Sequence, residues 1–492
     1  MKIVDNDLLS IQEARILAEN SREAQKELLK LTNEKIDEVI EKFLDKVVDW
    51  ADKYLNLICE ETRIGNVDDE KLLLNMFLPK LKEKLHEIKC VGNIKEDEKK
   101  RMIEVGVPYG VIAAFCSEKN SLLTLIYYIS IALKSKNTII LACNKKNSRV
   151  LSEFLDKARK FLELEGVPEC SISYLSNVSL NGYKEIINHK DVNLILNTEV
   201  FELSDEIEKS GKILLCGTYG NIPVFIERSA NIDKAVGNIV SSKSLNYGVA
   251  PGSEQVIVVE RKIVDEVKEK FKENNCYIMN KEESDRLKEI LFDKYGDFNK
   301  KYQGKSAQFL AKDAGITIDK NIKLLITSEK YLTLDHVYAK EKLCPVLDFY
   351  VEDDWENACE KCIELLLNGN QGHTLILHST DEKVIEQFCL RKPVGRLLVN
   401  TSGVLGSMGI TSDFFPAVTL GSGVTGQGIT SDNISPKNLV YIRKIGYEKA
   451  INTSNSNYKK ILDKKIEGNI NNKVKNNEIE EQLKKLLMEI LK

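Results

Sequence analysis

The sequence has no marked excess of either charge and no long apolar segment. Its formal net charge is −4, which gives no indication of a nucleic-acid partner or of an anionic membrane surface. No apolar run approaches the roughly 20 residues needed to cross a bilayer. Residues 1–7 also lack the charged and then apolar order of a secretory signal. We therefore expect a cytoplasmic protein without a nucleic-acid or membrane partner.

The cysteines do not follow the pattern of a disulfide framework. There are 11 of them, an odd number, scattered along the chain, which suits reduced thiols in a cytoplasm. One close pair, Cys359 and Cys362, lies in a helical pattern without a second pair or a nearby histidine. A zinc or redox motif needs such companions. We interpret the pair as residues of a helix face and predict no metal site.

The chain is long enough for two or three domains with a large core, since it has 492 residues of ordinary soluble composition. From about residue 110, short apolar strands alternate with helical segments. This repetition predicts an α/β fold with a parallel sheet covered on both faces, of the Rossmann type. A second α/β unit follows over residues 235–419, and residues 438–444 predict one more strand after a glycine-rich loop.

The two ends of the chain differ in pattern from the middle. Residues 8–31 have apolar residues at helical spacing and predict an amphipathic helix. Residues 451–477 are rich in Asn, Lys and Ser, which is typical of a flexible linker. Residues 478–492 predict a second amphipathic helix. Either terminal helix packs on its own fold or docks on a partner.

The most specific motif lies between a helical segment, residues 232–244, and an apolar strand, residues 256–259. Residues 248–255 read Gly-Val-Ala-Pro-Gly-Ser-Glu-Gln. This run resembles the nucleophile loop of the CoA-acylating aldehyde dehydrogenases, which reads close to D-N-G-V-I-C-A-S-E-Q. The matching residues are Gly248, Val249, Ser253, Glu254 and Gln255. Pro251 stands at the position of the family's cysteine.

The resemblance extends over roughly residues 101–447 and implies the aldehyde dehydrogenase fold. Further family-like runs are residues 108–112, 191–196, 341–343, 372–374, 419–421 and 431–433. On this basis the chain divides as follows: an N-terminal amphipathic helix (1–32), a Rossmann-type cofactor-binding domain (33–234), a catalytic-type α/β domain (235–420), a return to the cofactor domain with an oligomerisation strand (421–450), the linker (451–477) and a C-terminal amphipathic helix (478–492).

In the resembled family, a cysteine thiolate attacks the aldehyde, a hydride passes to NAD and the thioester is passed to CoA. Such a nucleophile must be deprotonatable, and proline has no ionisable group and no backbone N–H. Pro251 therefore marks the position of a lost nucleophile. The nearest replacement thiols by family geometry are Cys216 and Cys344, although free cysteine is commonly a small buried hydrophobe.

Two further residues are implied in catalysis by the resemblance. Asn120 occupies the place of the family's asparagine that helps to hold the oxyanion, and the alternative is that it caps the helix beginning near Leu122. His373 matches the histidine of the family's G-H-T run near the active site.

The resemblance implies NAD and coenzyme A as cofactors. It places Glu341 at the cofactor ribose and Gly220 and Asn221 in a loop beside the active site. Thr198 begins the run that replaces the family's glycine-rich T-G-G-P-G turn, and Glu199 and Glu202 within that run would oppose phosphate. Residues 142–147 likewise lose the Pro and His of the family's S-P-H-P-R-A run.

These changes favour a catalytically impaired relative that acts as a structural or regulatory subunit. It would form homo- or hetero-oligomers with aldehyde dehydrogenase subunits, or bind a bacterial microcompartment shell through its terminal helices. The alternative is an active NAD-dependent acylating acetaldehyde or propionaldehyde dehydrogenase with a different nucleophile. A third possibility is a CoA- or nucleotide-binding sensor without turnover.

Overall fold

The structure, a computed structural model, describes residues 5–97, 102–197, 201–217, 220–328, 337–368, 373–423 and 428–448, together with Lys464, Glu481, Gln482, Lys484 and Lys485. The predicted linker and most of the predicted C-terminal helix lie outside these residues. No helix in the described ranges has both the length and the apolar character needed to cross a membrane.

The described helices are α1 (Asn6–Leu28), α2 (Asn33–Thr62), α3 (Val67–Glu87), α4 (Ser121–Lys134), α5 (Ser148–Leu164), α6 (Leu180–Asn188), α7 (Ser204–Ser210), α8 (Ile232–Ser244), α9 (Val264–Glu273), α10 (Lys281–Leu291), α11 (Ala307–Asp313), α12 (Trp355–Asn368), α13 (Glu382–Arg391) and α14 (Gly403–Ser407). The described strands are β1 (Gly92–Asp97), β2 (Met102–Pro108), β3 (Val111–Phe115), β4 (Thr138–Ala142), β5 (Ile172–Tyr174), β6 (Val192–Asn197), β7 (Ile213–Cys216), β8 (Pro223–Ile226), β9 (Val256–Glu260), β10 (Cys276–Ile278), β11 (Leu324–Ile326), β12 (Val346–Glu352), β13 (Thr374–His378), β14 (Arg396–Val399) and β15 (Val440–Gly446).

The predicted Rossmann-type sheet is present. Five parallel strands lie in the order β5-β4-β3-β6-β7. Strands β3 and β4 are buried along their whole length, because helices cover both faces, and this is why they read as continuous apolar runs. The α/β fold class predicted from the sequence is confirmed.

The second α/β unit contains a seven-stranded sheet in the order β10-β11-β12-β9-β8-β13-β14. Each of its described pairings is parallel. Strand β8 pairs with β9 and β13 although it precedes residue 234, where the sequence placed a domain boundary. The predicted domain boundaries stay predictions.

A third sheet has the order β1-β2-β15, so the strand predicted at residues 438–444 is present as β15. The described residues separate into two compact units, and the smaller one includes residues 95–97, 102–105 and 444–448. The use of this strand in oligomerisation stays a prediction.

Helix α1 forms where residues 8–31 predicted it, and only part of its predicted apolar stripe is buried, including Ala14, Ala24 and Leu28. Its buried residues are mainly small, and Leu9 and Ile16, predicted on the apolar stripe, are exposed. The reason is close packing on α6, since a Cβ on Gly182 would lie 1.9 Å from Ser10 Oγ. Only small side chains fit between helices at such a short separation.

A candidate active-site crevice and a neighbouring cleft

The loop between α8 and β9 lines a narrow crevice. Its open volume is about 20 Å³, which is room for about one water molecule. Predicted site residues that meet there are Gly220, Pro251, Glu341 and His373; further lining includes Gly217, Gly248, Gly252, Ser253, Leu343 and Thr419. The structure therefore brings four of the seven predicted site residues to one place.

The loop begins with an unusual backbone conformation. Asn246, Tyr247 and Gly248 have φ values of 51°, 51° and 79°, a left-handed run that non-glycine residues adopt only when other contacts hold it. The side chain of Asn246 provides such contacts. Its Oδ1 accepts from the N–H of Asn66 at 2.9 Å, and its Nδ2 donates to Glu70 Oε1 at 2.6 Å.

Pro251 and Gly252 form a turn in the part of the loop that faces the crevice. Gly252 has φ 85°, and proline followed by a glycine at such a φ is the pattern of a type II turn. A Cβ on Gly252 would lie 2.6 Å from Ser407 Cβ and 2.8 Å from Gly403 O. The family's alanine at this position therefore does not fit the loop in its present conformation.

Asn120 forms hydrogen bonds with the loop and is not among the residues that line the crevice. Its Nδ2 donates to Val249 O at 3.0 Å, and its Oδ1 accepts from Asn246 Nδ2 at 3.2 Å. The side chain makes no capping hydrogen bond to α4, although Asn120 is the residue before that helix. Its contacts thus serve to hold the loop.

His373 and Glu341 both lie close to Gly220. A Cβ on Gly220 would lie 3.1 Å from both His373 Nε2 and Glu341 Oε1, and the N–H of Gly220 donates to Glu341 Oε1 at 3.0 Å. Burial, and then the charge of Arg396, lower the pKa of His373 to about 3. The imidazole is therefore neutral at physiological pH.

One predicted cofactor residue in the described ranges, Asn221, does not line the crevice. Asn221 is fully buried and its Nδ2 donates to Leu365 O in α12 at 2.7 Å. Thr198 lies outside the described residues. Neither observation assigns these residues a ligand.

The sequence reasoning missed a buried polar network beneath the loop. Lys243 Nζ donates to Gln255 Oε1 at 3.1 Å and to Lys342 O at 2.9 Å, and the N–H of Lys342 donates to the same Gln255 oxygen at 2.8 Å. Burial lowers the pKa of Lys243 to about 7 and that of Lys342 to about 8. Lysine is rarely fully buried, and nothing in the local sequence distinguishes Lys243 and Lys342 from the exposed lysines of the chain.

Two buried carboxyl groups flank the same loop. Glu254 Oε1 accepts from the N–H of Gly403 at 2.8 Å, and burial raises the pKa of Glu254 to about 7. Burial also raises the pKa of Glu70, on α3, to about 7. Two carboxyl groups that hold the loop, Glu254 and Glu70, are thus in buried surroundings that disfavour their charged forms.

A second and larger cavity lies at the carboxyl ends of β3 and β4. Its volume is about 860 Å³, and this edge of a parallel sheet is where such folds bind ligands. Its charged lining residues are Asp7, Lys145, Lys146 and Glu202. Lys146 pairs with Glu118 at 2.6 Å, and Asp7 accepts from Asn181 at 3.1 Å. We call this cavity the sheet-edge cleft.

Comparison with known proteins agrees with this architecture. The model of the aldehyde dehydrogenase family matches residues 5–285. The aldehyde-alcohol dehydrogenase of Clostridium acetobutylicum is 31% identical over 434 residues, which are 86% of this chain and 49% of that protein. The chain therefore spans about half the length of that curated relative.

Solved structures give the same result. An acetylating aldehyde dehydrogenase from Geobacillus thermoglucosidasius has a TM-score of 0.88 and 34% identity, covering 91% of this chain and 99% of that one. A propionaldehyde dehydrogenase from the Clostridium phytofermentans fucose utilisation microcompartment shares the fold with a TM-score of 0.79 at 21% identity, covering 88% and 97%. The chain belongs to the aldehyde dehydrogenase family, among its CoA-acylating members.

Proposed function

We propose that this chain is a non-catalytic member of its family that serves as a structural or regulatory subunit. The observation that carries this proposal is that Pro251, which the resemblance aligns with the family's nucleophile, lines the crevice. A proline side chain cannot form the thioester on which CoA acylation depends.

The geometry around Pro251 supports the proposal. The crevice is narrow, with an open volume of about 20 Å³, which leaves little space for an aldehyde beside the loop. The left-handed φ of Gly252, and the 2.6 Å that an added Cβ would leave to Ser407 Cβ, support a loop conformation that depends on glycine at this position. The change is therefore larger than the loss of one sulfur atom.

The two candidate replacement thiols have unfavourable surroundings. Cys344 is fully buried, and burial raises its pKa to about 12. Burial also raises the pKa of Cys216, at the end of β7. Rapid turnover of an aldehyde at neutral pH needs a thiolate and hence a cysteine of lowered pKa, so the alternative of an active dehydrogenase with another thiol gains no support.

The described lining of the sheet-edge cleft is a poor fit for the diphosphate of NAD or CoA. The cleft is large enough for a nucleotide, but Glu118 pairs with one of its two lysines, Lys146. Glu202 and Asp7 add negative charge to the wall. Phosphate recognition relies on uncompensated positive charge and free N–H donors, and we therefore infer weak nucleotide binding.

The role in assembly is supported by the outer surface of α1. The inner face of the helix packs on α6, which leaves Leu8, Leu9 and Ile16 between 38% and 64% exposed. Such neighbouring apolar residues at a helix surface suit docking on a partner helix or groove. We propose that this face contacts an active aldehyde dehydrogenase subunit or a microcompartment shell protein.

The catalytic part of the proposal is tested by measuring NADH formation from aldehyde, NAD and CoA. We expect no turnover from the wild-type chain, and none from Pro251→Cys, because the crevice and the cleft both remain altered. The acetylating enzyme of Geobacillus thermoglucosidasius, assayed in parallel, serves as the positive control. Robust wild-type turnover would overturn the proposal.

The nucleotide and assembly parts need separate measurements. Calorimetric titration with NAD should show weak binding, and tight binding would contradict the argument from the cleft's charges. For assembly, Leu8→Ser combined with Ile16→Ser should reduce co-purification with the partner, as should deletion of residues 475–492. Unchanged recovery with both alterations would reject the docking role.

A further inference from the structure

Two cysteines that the proposed function does not use end adjacent strands of the five-stranded sheet. Cys116 follows β3 and Cys143 follows β4. The strands are parallel, and their last paired residues are Phe115 and Ala142. The N–H of Cys116 donates to Ala142 O at 3.0 Å, and Cys116 and Cys143 are the next residues in the same register, one position beyond the last pair.

Both cysteine side chains lie on the same face of the sheet. Along β3 and β4, alternate residues contribute to two different hydrophobic clusters. Cys116 and Cys143 belong to the same cluster, with Ile112 and Ile139 from the same two strands. This is the alternation expected when side chains on neighbouring strands point to one face.

Such a pair has the separation that a disulfide needs. Adjacent strands are about 4.8 Å apart, and disulfides join Cα atoms that are about 4.4–6.8 Å apart. The register therefore places the two cysteines within the range of Cα separations that a disulfide spans. Neither cysteine is bonded to another cysteine in this structure.

The sheet-edge cleft lies next to the pair, whose residues are almost fully buried, with Cys116 1% and Cys143 3% exposed. Cys116 lines that cleft, beside Phe115 and Ala142. The backbone carbonyl oxygen of Cys143 accepts a hydrogen bond from Tyr183 Oη at 2.6 Å. Tyr183 in turn lines the cleft and packs edge-on against Phe115.

We propose that Cys116 and Cys143 form a reversible disulfide when the protein meets hydroperoxide. The sulfur of Cys116 attacks the peroxide, so an S–O bond forms, the O–O bond breaks and water leaves. The sulfur of Cys143 then attacks the sulfenic sulfur, so the S–S bond forms and a second water leaves. Two thiols lose two electrons in total, and one hydrogen peroxide is reduced to two waters.

Burial sets the conditions for this reaction. It raises the pKa of Cys143 to about 12 and that of Cys116 well above its usual value. Both groups are therefore thiols at rest, and the bond should form slowly and faster at alkaline pH.

The test is peptide mapping of the folded, full-length chain after treatment with hydrogen peroxide and acid trapping of free thiols. We expect a cross-linked peptide pair containing Cys116 and Cys143 that disappears on reduction. It should fall to background in Cys116→Ser and in Cys143→Ser, and persist in Cys389→Ser, which removes an exposed cysteine. Oxidation of Cys116 to sulfinic acid without a link, or oxidation confined to Cys389, would overturn the proposal.

A trivalent arsenical, phenylarsine oxide, keeps the proposal testable if a serine variant is unstable. The reagent needs two adjacent thiols, so Cys116→Ala and Cys143→Ala should each bind one arsenic fewer per folded chain than the wild type. Cys389→Ala should bind the wild-type amount, with circular dichroism used to compare folding. Equal arsenic binding by the wild type and both cleft variants would show that the two sulfurs are not neighbours.

Discussion

The Pro251 crevice and the sheet-edge cleft differ in both size and lining. The crevice is narrow, with an open volume of about 20 Å³, and the polar network beneath its loop is dense and buried. The cleft has a volume of about 860 Å³ and charges of both signs on its wall. One site is closed by packing, and the other is open with a different chemical lining.

If the chain is non-catalytic, as we propose, the difference teaches that loss of a function and loss of structure need not coincide. Gln255 and Asn246 hold the loop tightly, although the resemblance aligns its Pro251 with the family's cysteine. Such a network contributes to stability whether or not the loop reacts. Substitutions in the crevice should therefore change folding more than ligand binding, and substitutions in the cleft should do the reverse.

The largest effect is expected from Gln255→Leu beneath the crevice. Gln255 Oε1 accepts from Lys243 Nζ and from the N–H of Lys342, and leucine would leave both buried donors without that acceptor. We expect a loss of about 4 kcal/mol in the free energy of unfolding, measured by urea denaturation. Gln12→Leu, at an exposed position, is the control. An equal loss of stability in that variant would mean that the buried hydrogen bonds of Gln255 add no stability of their own.

Gly252→Ala tests whether the Pro-Gly turn is locked by its surroundings. The new Cβ would lie 2.6 Å from Ser407 Cβ in a backbone with φ 85°, and we expect a loss of about 3 kcal/mol. Gly315→Ala is a matched control, because Gly315 has φ 65° and nothing within 4 Å. It should lose about 1 kcal/mol; a loss at Gly252 no larger than this would show a loop free to adopt the family conformation.

The fold was predictable from the sequence because it depends on local patterns of apolar and polar residues. The apolar runs of β3 and β4 predicted buried parallel strands, and α8 begins and ends at the residues predicted, Ile232 and Ser244. The packing of α1 was not predictable in the same way. Its buried face depends on the short approach to Gly182, which is a property of two distant segments together.

The candidate site was predictable only in part. Family-like runs located Pro251, Glu341 and His373, which meet in the crevice. The role of Asn120 as a contact of the loop and the burial of Lys243 depend on tertiary contacts, which no local pattern records. The Pro251-Gly252 pair was a local signal, because Pro-Gly indicates a turn, and it could have been used to predict the changed loop.

Glu70→Gln should reveal the buried carboxyl beneath the crevice through pH. The pKa of Glu70 is raised from 4.5 to about 7 in the folded chain, so the wild type loses stability as pH rises from 4.5 to about 7. Glutamine keeps an acceptor for Asn246 and avoids this loss. We expect the variant to be more stable by about 2 kcal/mol at pH 8 and equal at pH 4, in denaturation curves at both pH values.

Glu61→Gln, at an exposed position on α2, is the control for this measurement. Its stability relative to the wild type should be nearly independent of pH. A Glu70→Gln curve that runs parallel to the wild type from pH 4 to pH 8 would mean that the carboxylate is tolerated in place, and the crevice would then be less tightly closed than its contacts indicate.

The smallest effect is expected in the cleft, from Glu118→Gln. The substitution removes the negative partner of Lys146 and leaves the volume of the cleft nearly unchanged. Lys146 is 57% exposed, so solvent screens the charge that becomes available to a bound diphosphate. The gain in binding free energy should be about 0.5 kcal/mol, or roughly a twofold tighter Kd for pyrophosphate by calorimetry.

Glu208→Gln, which changes the net charge equally at an exposed position outside the cleft lining, controls for long-range charge. Because both variants have the same net charge, a difference between their pyrophosphate affinities reports on the lining of the cleft alone. Equal affinities would mean that the ion pair of Lys146 is not the cause of weak anion binding.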